Sequence, residues 1–134
     1  MNTVQVDIVT PERKVFEGQA TMVIARGVEG ELGILPGHTP LVTPLKVGVL
    51  QLKEGTTEKL IAISGGFLEV RPDKVTVLAE TAELPEEIDV DRAENARRRA
   101  EQRLANLNKS DRDFDHTEIA LARAINRIRV AKWK

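Results

Sequence analysis

The chain of 134 residues has no cysteine, no tyrosine, one tryptophan and three phenylalanines. Without cysteine there is no disulfide framework and no thiolate metal site, which fits a reducing interior. So few aromatics offer little for the stacking on which single-stranded nucleic acids depend. No apolar run approaches the roughly 20 residues that span a bilayer. The opening Met1-Asn2-Thr3-Val4-Gln5 shows neither the basic nor the apolar segment of a signal peptide, so membrane association is expected only through a partner. The two histidines, His38 and His116, are far apart, and no His-x-x-x-His pair or paired-aspartate cluster marks a metal site. A Gly-x-x-x-x-Gly-Lys-Ser/Thr phosphate loop is missing as well. No residue set is expected to be catalytic.

A further absence divides the chain. All nine glycines and all six prolines lie between Pro11 and Pro85, and the last 49 residues have none. Gly and Pro punctuate strands and turns, and their absence over a long polar stretch permits uninterrupted helix. Charge divides at the same place. Residues 1–87 carry 8 Lys/Arg against 13 Asp/Glu, a net of −5, and residues 88–134 carry 12 against 8, a net of +4. A total of −1 therefore hides an acidic body and a basic tail, an asymmetry that points to an acidic or polyanionic partner for the tail. Two domains are expected: 1–85, a β-sandwich or flattened barrel of antiparallel strands, and 88–134, a helix-turn-helix.

In the body, Val4, Val6 and Ile8 alternate with Gln5 and Asp7, the period of a half-buried strand. Further strands are expected over Thr21–Ala25, Val47–Lys53, Glu58–Ile63, Phe67–Val70 and Lys74–Ala79, separated by turns such as Pro36-Gly37 and Glu54-Gly55. The pair Gly65-Gly66 reads as a hairpin turn, and Ser64 as a turn hydroxyl. His38, after Pro36-Gly37, reads as a loop or interface residue.

In the tail, Val90, Ala93, Arg97, Ala100, Leu104 and Leu107 form one narrow seam, and Phe114, Leu121, Ile125 and Ile128 a second. The polar link between them predicts an antiparallel hairpin turning near residue 110. Mostly Ala and Leu, the first seam holds weakly, since each buried CH₂ contributes about 0.8 kcal/mol. Asp89 alone reads most simply as a helix N-cap, with Asp91 and Glu94 as a competing capping box. Arg92 and Arg99 share one face of the first helix, Arg123 and Arg127 one face of the second. If the hairpin sets all four across one cleft, they repel unless a polyanion sits among them, and Arg suits bidentate phosphate contacts. Spacing alone equally allows them to radiate into solvent or to pair with Glu94, Glu101 and Glu118.

Two segments, Gly30-Glu31-Leu32-Gly33-Ile34-Leu35-Pro36-Gly37-His38 and Ser64-Gly65-Gly66-Phe67-Leu68-Glu69-Val70, resemble the epsilon subunit of bacterial F-type ATP synthase. The likeness spans the whole chain, and Ile88-Asp89-x-x-Arg92-Ala93 is similar to the ATP-binding motif of that subunit in bacilli. The resemblance implies a non-catalytic rotor subunit that couples proton flow to ATP synthesis and inhibits hydrolysis when ATP is scarce. It implies a sandwich fixed between the gamma subunit and the c-ring, peripheral to the cell membrane on its cytoplasmic side. The hairpin would fold down on the sandwich with ATP, with Mg²⁺ as a candidate companion, or extend along gamma to an acidic segment of a beta subunit. Carried over residue by residue, the nucleotide site comprises Glu83, Ile88, Asp89, Arg92, Ala93, Arg99, Arg123 and Arg127. The loop facing the c-ring includes Glu31, Leu32, Gly33 and His38, and the beta contact Arg123, Arg127, Arg129 and Lys132. His116 stands where such relatives have a basic residue. Two other readings are a free-standing ATP-binding sensor and, more weakly, an RNA-binding accessory protein. The acidic body speaks against the latter, so no nucleic acid partner is expected.

Overall fold

The computed structural model describes residues 2–133; Met1 and Lys134, the outer ends of the two expected domains, lie outside the described residues. Ten strands run in chain order: β1 Val4–Val9, β2 Lys14–Ala20, β3 Met22–Gly27, β4 Gly30–Ile34, β5 Leu41–Leu45, β6 Gly48–Glu54, β7 Thr57–Ile63, β8 Gly66–Val70, β9 Lys74–Ala79 and β10 Ala82–Glu83. A 3₁₀ turn at Pro85–Glu87 leads to α1 (Val90–Ala105) and α2 (Phe114–Ala131).

The strands hydrogen-bond in the order β10-β7-β6-β3-β5-β8-β9-β1-β2, with β4 also on β3. Between β3 and β5 the ladder narrows to one pair, Gly27 with Leu45. The sheet turns over at this point, and the two halves close on one core containing Val6, Ile8, Val23, Leu50, Ile61, Leu68 and Val77, each at most 1% exposed. Burying each such side chain contributes about 1.5–3 kcal/mol. The fold is thus the expected β-sandwich followed by two helices, with one departure: β1 and β9 pair in parallel. Their long separation in sequence supplies the connection that parallel pairing needs.

Strands β2, β4 and β5 escape the sequence periodicity because Gly18, Gly30, Gly33 and Pro44 interrupt it, and β10, two residues long, is too short to show a period. Pro44 is tolerated because β5 pairs along its length only with β8 and meets β3 at Leu45 alone. Gly65-Gly66 is not a hairpin turn. β7 pairs with β6 and β10, whereas β8 pairs with β5 and β9, so the two glycines carry the chain between halves of the sandwich. Gly66 has φ +120°, and a Cβ there would stand 2.1 Å from the Leu78 carbonyl oxygen.

The helical hairpin lies against the outer face of β6 and β7. Ile88 and Val130 pack with Leu60 and Ala62, flanked by Val49 and Ala131. Ala93 and Ala100 bury the α1 seam as expected. On α2 the buried residues are Thr117, Ala124, Asn126 and Val130, while Ile125 is 38% exposed. Of the expected stripe Phe114, Leu121 and Ile128 are half-buried and Ile125 is not, because α2 packs on the sandwich as well as on α1.

Candidate functional site

Asp89 caps α1: its carboxylate accepts the Arg92 backbone N–H at 3.1 Å. The competing capping box does not form, since Glu94 bonds Arg97 at 2.7 Å and reaches across to Lys132 at 3.4 Å. These bonds, the Arg97 one first, hold the Glu94 carboxyl below its ordinary range, and Glu94 in turn raises Arg97. Ile88 and Ala93 are buried and fix the start of α1 in place.

Arg123 and Arg127, one turn apart on α2, face the sandwich rim. Arg127 Nε donates to Glu83 Oε1 at 2.5 Å, and Arg123 Nη2 lies 3.6 Å from Glu80 Oε2. With Ser64, Thr81 and Asn126 they line a cavity of about 10 Å³. Ser64 Oγ is buried there and has no hydrogen-bond partner among the described residues, so it does not make the local bond expected of a turn hydroxyl. Arg99 stands elsewhere, in a groove of about 390 Å³ between the helices that Arg103 and His116 also line. Among the described residues neither Arg92 nor Arg99 forms an ion pair. The structure therefore brings Arg123, Arg127 and Glu83 together and sets Arg99 beside His116. Carboxylates of the sandwich rim meet the α2 arginines, in place of Glu94, Glu101 or Glu118. Sequence reasoning missed Glu80, which no helical spacing can connect to Arg123.

A guanidinium set of this kind suits an anionic, phosphate-bearing ligand, since Arg presents paired donors in a fixed fork. It is compatible with ATP on the condition that the rim carboxylates yield Arg123 and Arg127.

The other expected surfaces lie apart from this junction. Glu31 and Gly33 are exposed on β4, Leu32 is half-buried, and His38 Nδ1 donates to the Thr39 carbonyl at 2.7 Å. Arg129 on α2 is exposed, and Lys132, just past the end of that helix, bonds Glu94. On the outer face of β5, β8 and β9, Pro44, Phe67 and Leu78 form a cross-strand row beside Val42. Phe67 and Leu78 are each 52% exposed and Val42 66%, an apolar face that sequence reasoning did not single out. Its signal was legible: large apolar residues at strand positions alternate with the buried Leu68 and Val77.

Residues 3–85 match the family described as ATP synthase, Delta/Epsilon chain, beta-sandwich domain, and residues 86–132 its long alpha-helix domain. The chain is 56% identical to an ATP synthase epsilon chain from Halalkalibacterium halodurans, over 98% of each chain. It is 63% identical to one from Brevibacillus brevis, over 78% of this chain and 80% of that one. Among solved structures, it is similar to a chain in the Euglena gracilis mitochondrial ATP synthase OSCP/F1/c-ring (TM-score 0.76, 26% identity, covering 90% of this chain and 76% of that one). A chain of the Tetrahymena thermophila central stalk/c-ring shares the fold at TM-score 0.59 and 15% identity, covering 97% and 94%.

Proposed function

The chain belongs to the ATP synthase delta/epsilon family as a non-catalytic epsilon subunit of the central stalk, and we propose that its hairpin is an ATP-sensitive brake on hydrolysis. The carrying observation is the seam between α2 and the sandwich. It is held by a small apolar cluster, by the buried Asn126 amide and by the partly exposed Arg127–Glu83 and Arg123–Glu80 pairs, so a phosphate-bearing ligand that meets those arginines can bias it. Arg123 and Arg127 would hold ATP through its phosphates together with Arg92, with Asp89 fixing the start of α1 and Glu83 orienting Arg127. Arg99 would join them only by turning out of the groove beside His116. Mg²⁺ would serve as counter-charge to the phosphates. A ligand shifts such an equilibrium only by its differential affinity for the two states. The docked state is the one that sets Arg123 and Arg127 against the sandwich rim. When ATP is scarce the hairpin leaves the sandwich and its cations Arg123, Arg127, Arg129 and Lys132 engage an acidic segment of a beta subunit.

The sandwich anchors the rotor. The apolar face of Val42, Phe67 and Leu78 suits the gamma subunit, because an exposed apolar row of this kind marks a protein interface. The β4 edge with Glu31, Leu32 and Gly33, and His38 beyond it, faces the c-ring. No helix among the described residues is long and apolar enough to cross a membrane, and the subunit sits peripherally on the cytoplasmic side through the complex.

Calorimetry on the chain tests the ligand. ATP binds more tightly than ADP, and Arg92→Ala weakens ATP binding with the sandwich still folded. Equal affinity for the two nucleotides, or an unchanged ATP affinity in the variant, would overturn the reading.

A further inference from the structure

We propose that Glu80 sets the affinity of the nucleotide site by acting as an internal counter-anion for Arg123, a proposal that rests on the ATP reading above. Glu80 follows β9, and its backbone N–H donates to the Gly65 carbonyl at 3.3 Å. Its carboxylate lies over Gly65, where a Cβ would come within 3.2–3.4 Å of the carboxyl atoms. The missing side chain at residue 65 thus leaves the room in which Glu80 leans toward α2. There its Oε2 lies 3.6 Å from Arg123 Nη2, while Glu83 holds Arg127 one helical turn on.

The charge pattern at this junction is two carboxylates against two guanidiniums, neutral as a set. A neutral junction docks the hairpin without ligand, and it also withholds both arginines from a phosphate. A bound polyphosphate meets Arg123 at full strength only after the Glu80 carboxylate swings out, and the two anions repel while they share that neighbourhood. Glu80 is free to move, its side chain 66% exposed, whereas Glu83 is more enclosed at 29%. Glu80 is therefore the part that yields. It opposes ligand binding and favours the ligand-free docked hairpin, and so narrows the difference that ATP makes.

The test is Glu80→Gln, with Glu58→Gln on the β6–β7 hairpin as a carboxylate control. Titration with ATP and with inorganic triphosphate should give a Kd about two- to five-fold lower in Glu80→Gln than in the unaltered chain, the range of an exposed ion pair. The gain should shrink in about 0.5 M salt, which screens the pair. Hydrogen exchange without ligand should show faster opening of α2 in the same variant. ATP binding that is unchanged or weaker in Glu80→Gln overturns this proposal alone. No binding of ATP or triphosphate by the unaltered chain overturns the nucleotide reading and this proposal with it.

Discussion

Asn126 Nδ2 donates to the Gly48 carbonyl at 2.7 Å and lies 3.5 Å from the carbonyl of Ile63, the residue paired with Gly48 where β6 starts and β7 ends. Asn126 is 6% exposed, so α2 inserts a buried amide into the open end of a β-ladder. Leaving a buried acceptor unmatched costs about 1–3 kcal/mol. Asn126→Leu, similar in size, should loosen docking by that amount and speed amide exchange along α2, with the sandwich amides unaffected. Unchanged exchange in α2 would show that apolar packing alone positions the helix.

Gly66→Ala and Gly37→Ala separate sterics from backbone preference. Both glycines have positive φ, +120° and +82°, but only at Gly66 does an added Cβ strike backbone, whereas at Gly37 it meets nothing within 4 Å. Gly37→Ala should cost about 1–2 kcal/mol in urea unfolding, and Gly66→Ala well over about 3 kcal/mol, or prevent folding. Equal costs would remove the steric argument.

The Glu87 carboxyl is held below its ordinary 4.5, first by the Leu84 backbone N–H and then by Arg13, against an opposing effect of burial. Asp7 is lowered from 3.8, first by Gln5, with Lys74 also contributing. Carboxyls with depressed folded pKa stabilise the fold fully above their unfolded values and lose that contribution as pH falls through the folded ones. Their share of the urea midpoint should therefore be level from neutral pH to about 5 and fall below about 4.5. Glu87→Gln should reduce the acid-sensitive part; a fall of the same size in that variant would contradict the assignment.

Arg129→Ala tests the latch in the extended state. Lys132 bonds Glu94 in the docked hairpin, so replacing it disturbs both states, while Arg129 forms no ion pair among the described residues. In the assembled enzyme at low ATP, Arg129→Ala should raise hydrolysis by no more than about five-fold, as for one exposed charge pair. ATP binding by the isolated chain should not change. Fully retained inhibition would place the latch elsewhere.

Residues 1–87 should fold without the hairpin, since the sandwich core includes no residue beyond Leu84. Truncation uncovers Val49, Leu60 and Ala62, so the fragment should be folded by circular dichroism, bind gamma, and be less soluble than the whole chain. An unfolded fragment would show that the sandwich depends on the tail.

Local chemistry made the architecture readable from the residues: the Gly/Pro boundary, the two-residue period of Val4 to Ile8, and Asp89 as cap each correspond to a contact within a few residues. What escaped depends on surfaces brought together from afar. β5 hides behind Pro44, whose missing N–H is harmless only at a sparsely paired strand. Gly65-Gly66 looks like a hairpin until the partners of β7 and β8 are known. Helical spacing put Arg123 and Arg127 on one face correctly, but which carboxylates meet them follows from how α2 docks, and Asn126, which directs that docking, reads as an ordinary polar helix residue.

The parallel pairing of β1 with β9 has a consequence for synthesis. Val4–Val9 leaves the ribosome early and can form its hairpin with β2, yet its other edge stays open until Lys74–Ala79 follows. An unpaired strand edge templates the wrong partner, and pairing at long sequence separation is slow. The nascent body thus stays vulnerable to mispairing until nearly all of it has been made. The helices emerge after it, onto a β6–β7 face already complete, so the hairpin docks on a sandwich that is already built.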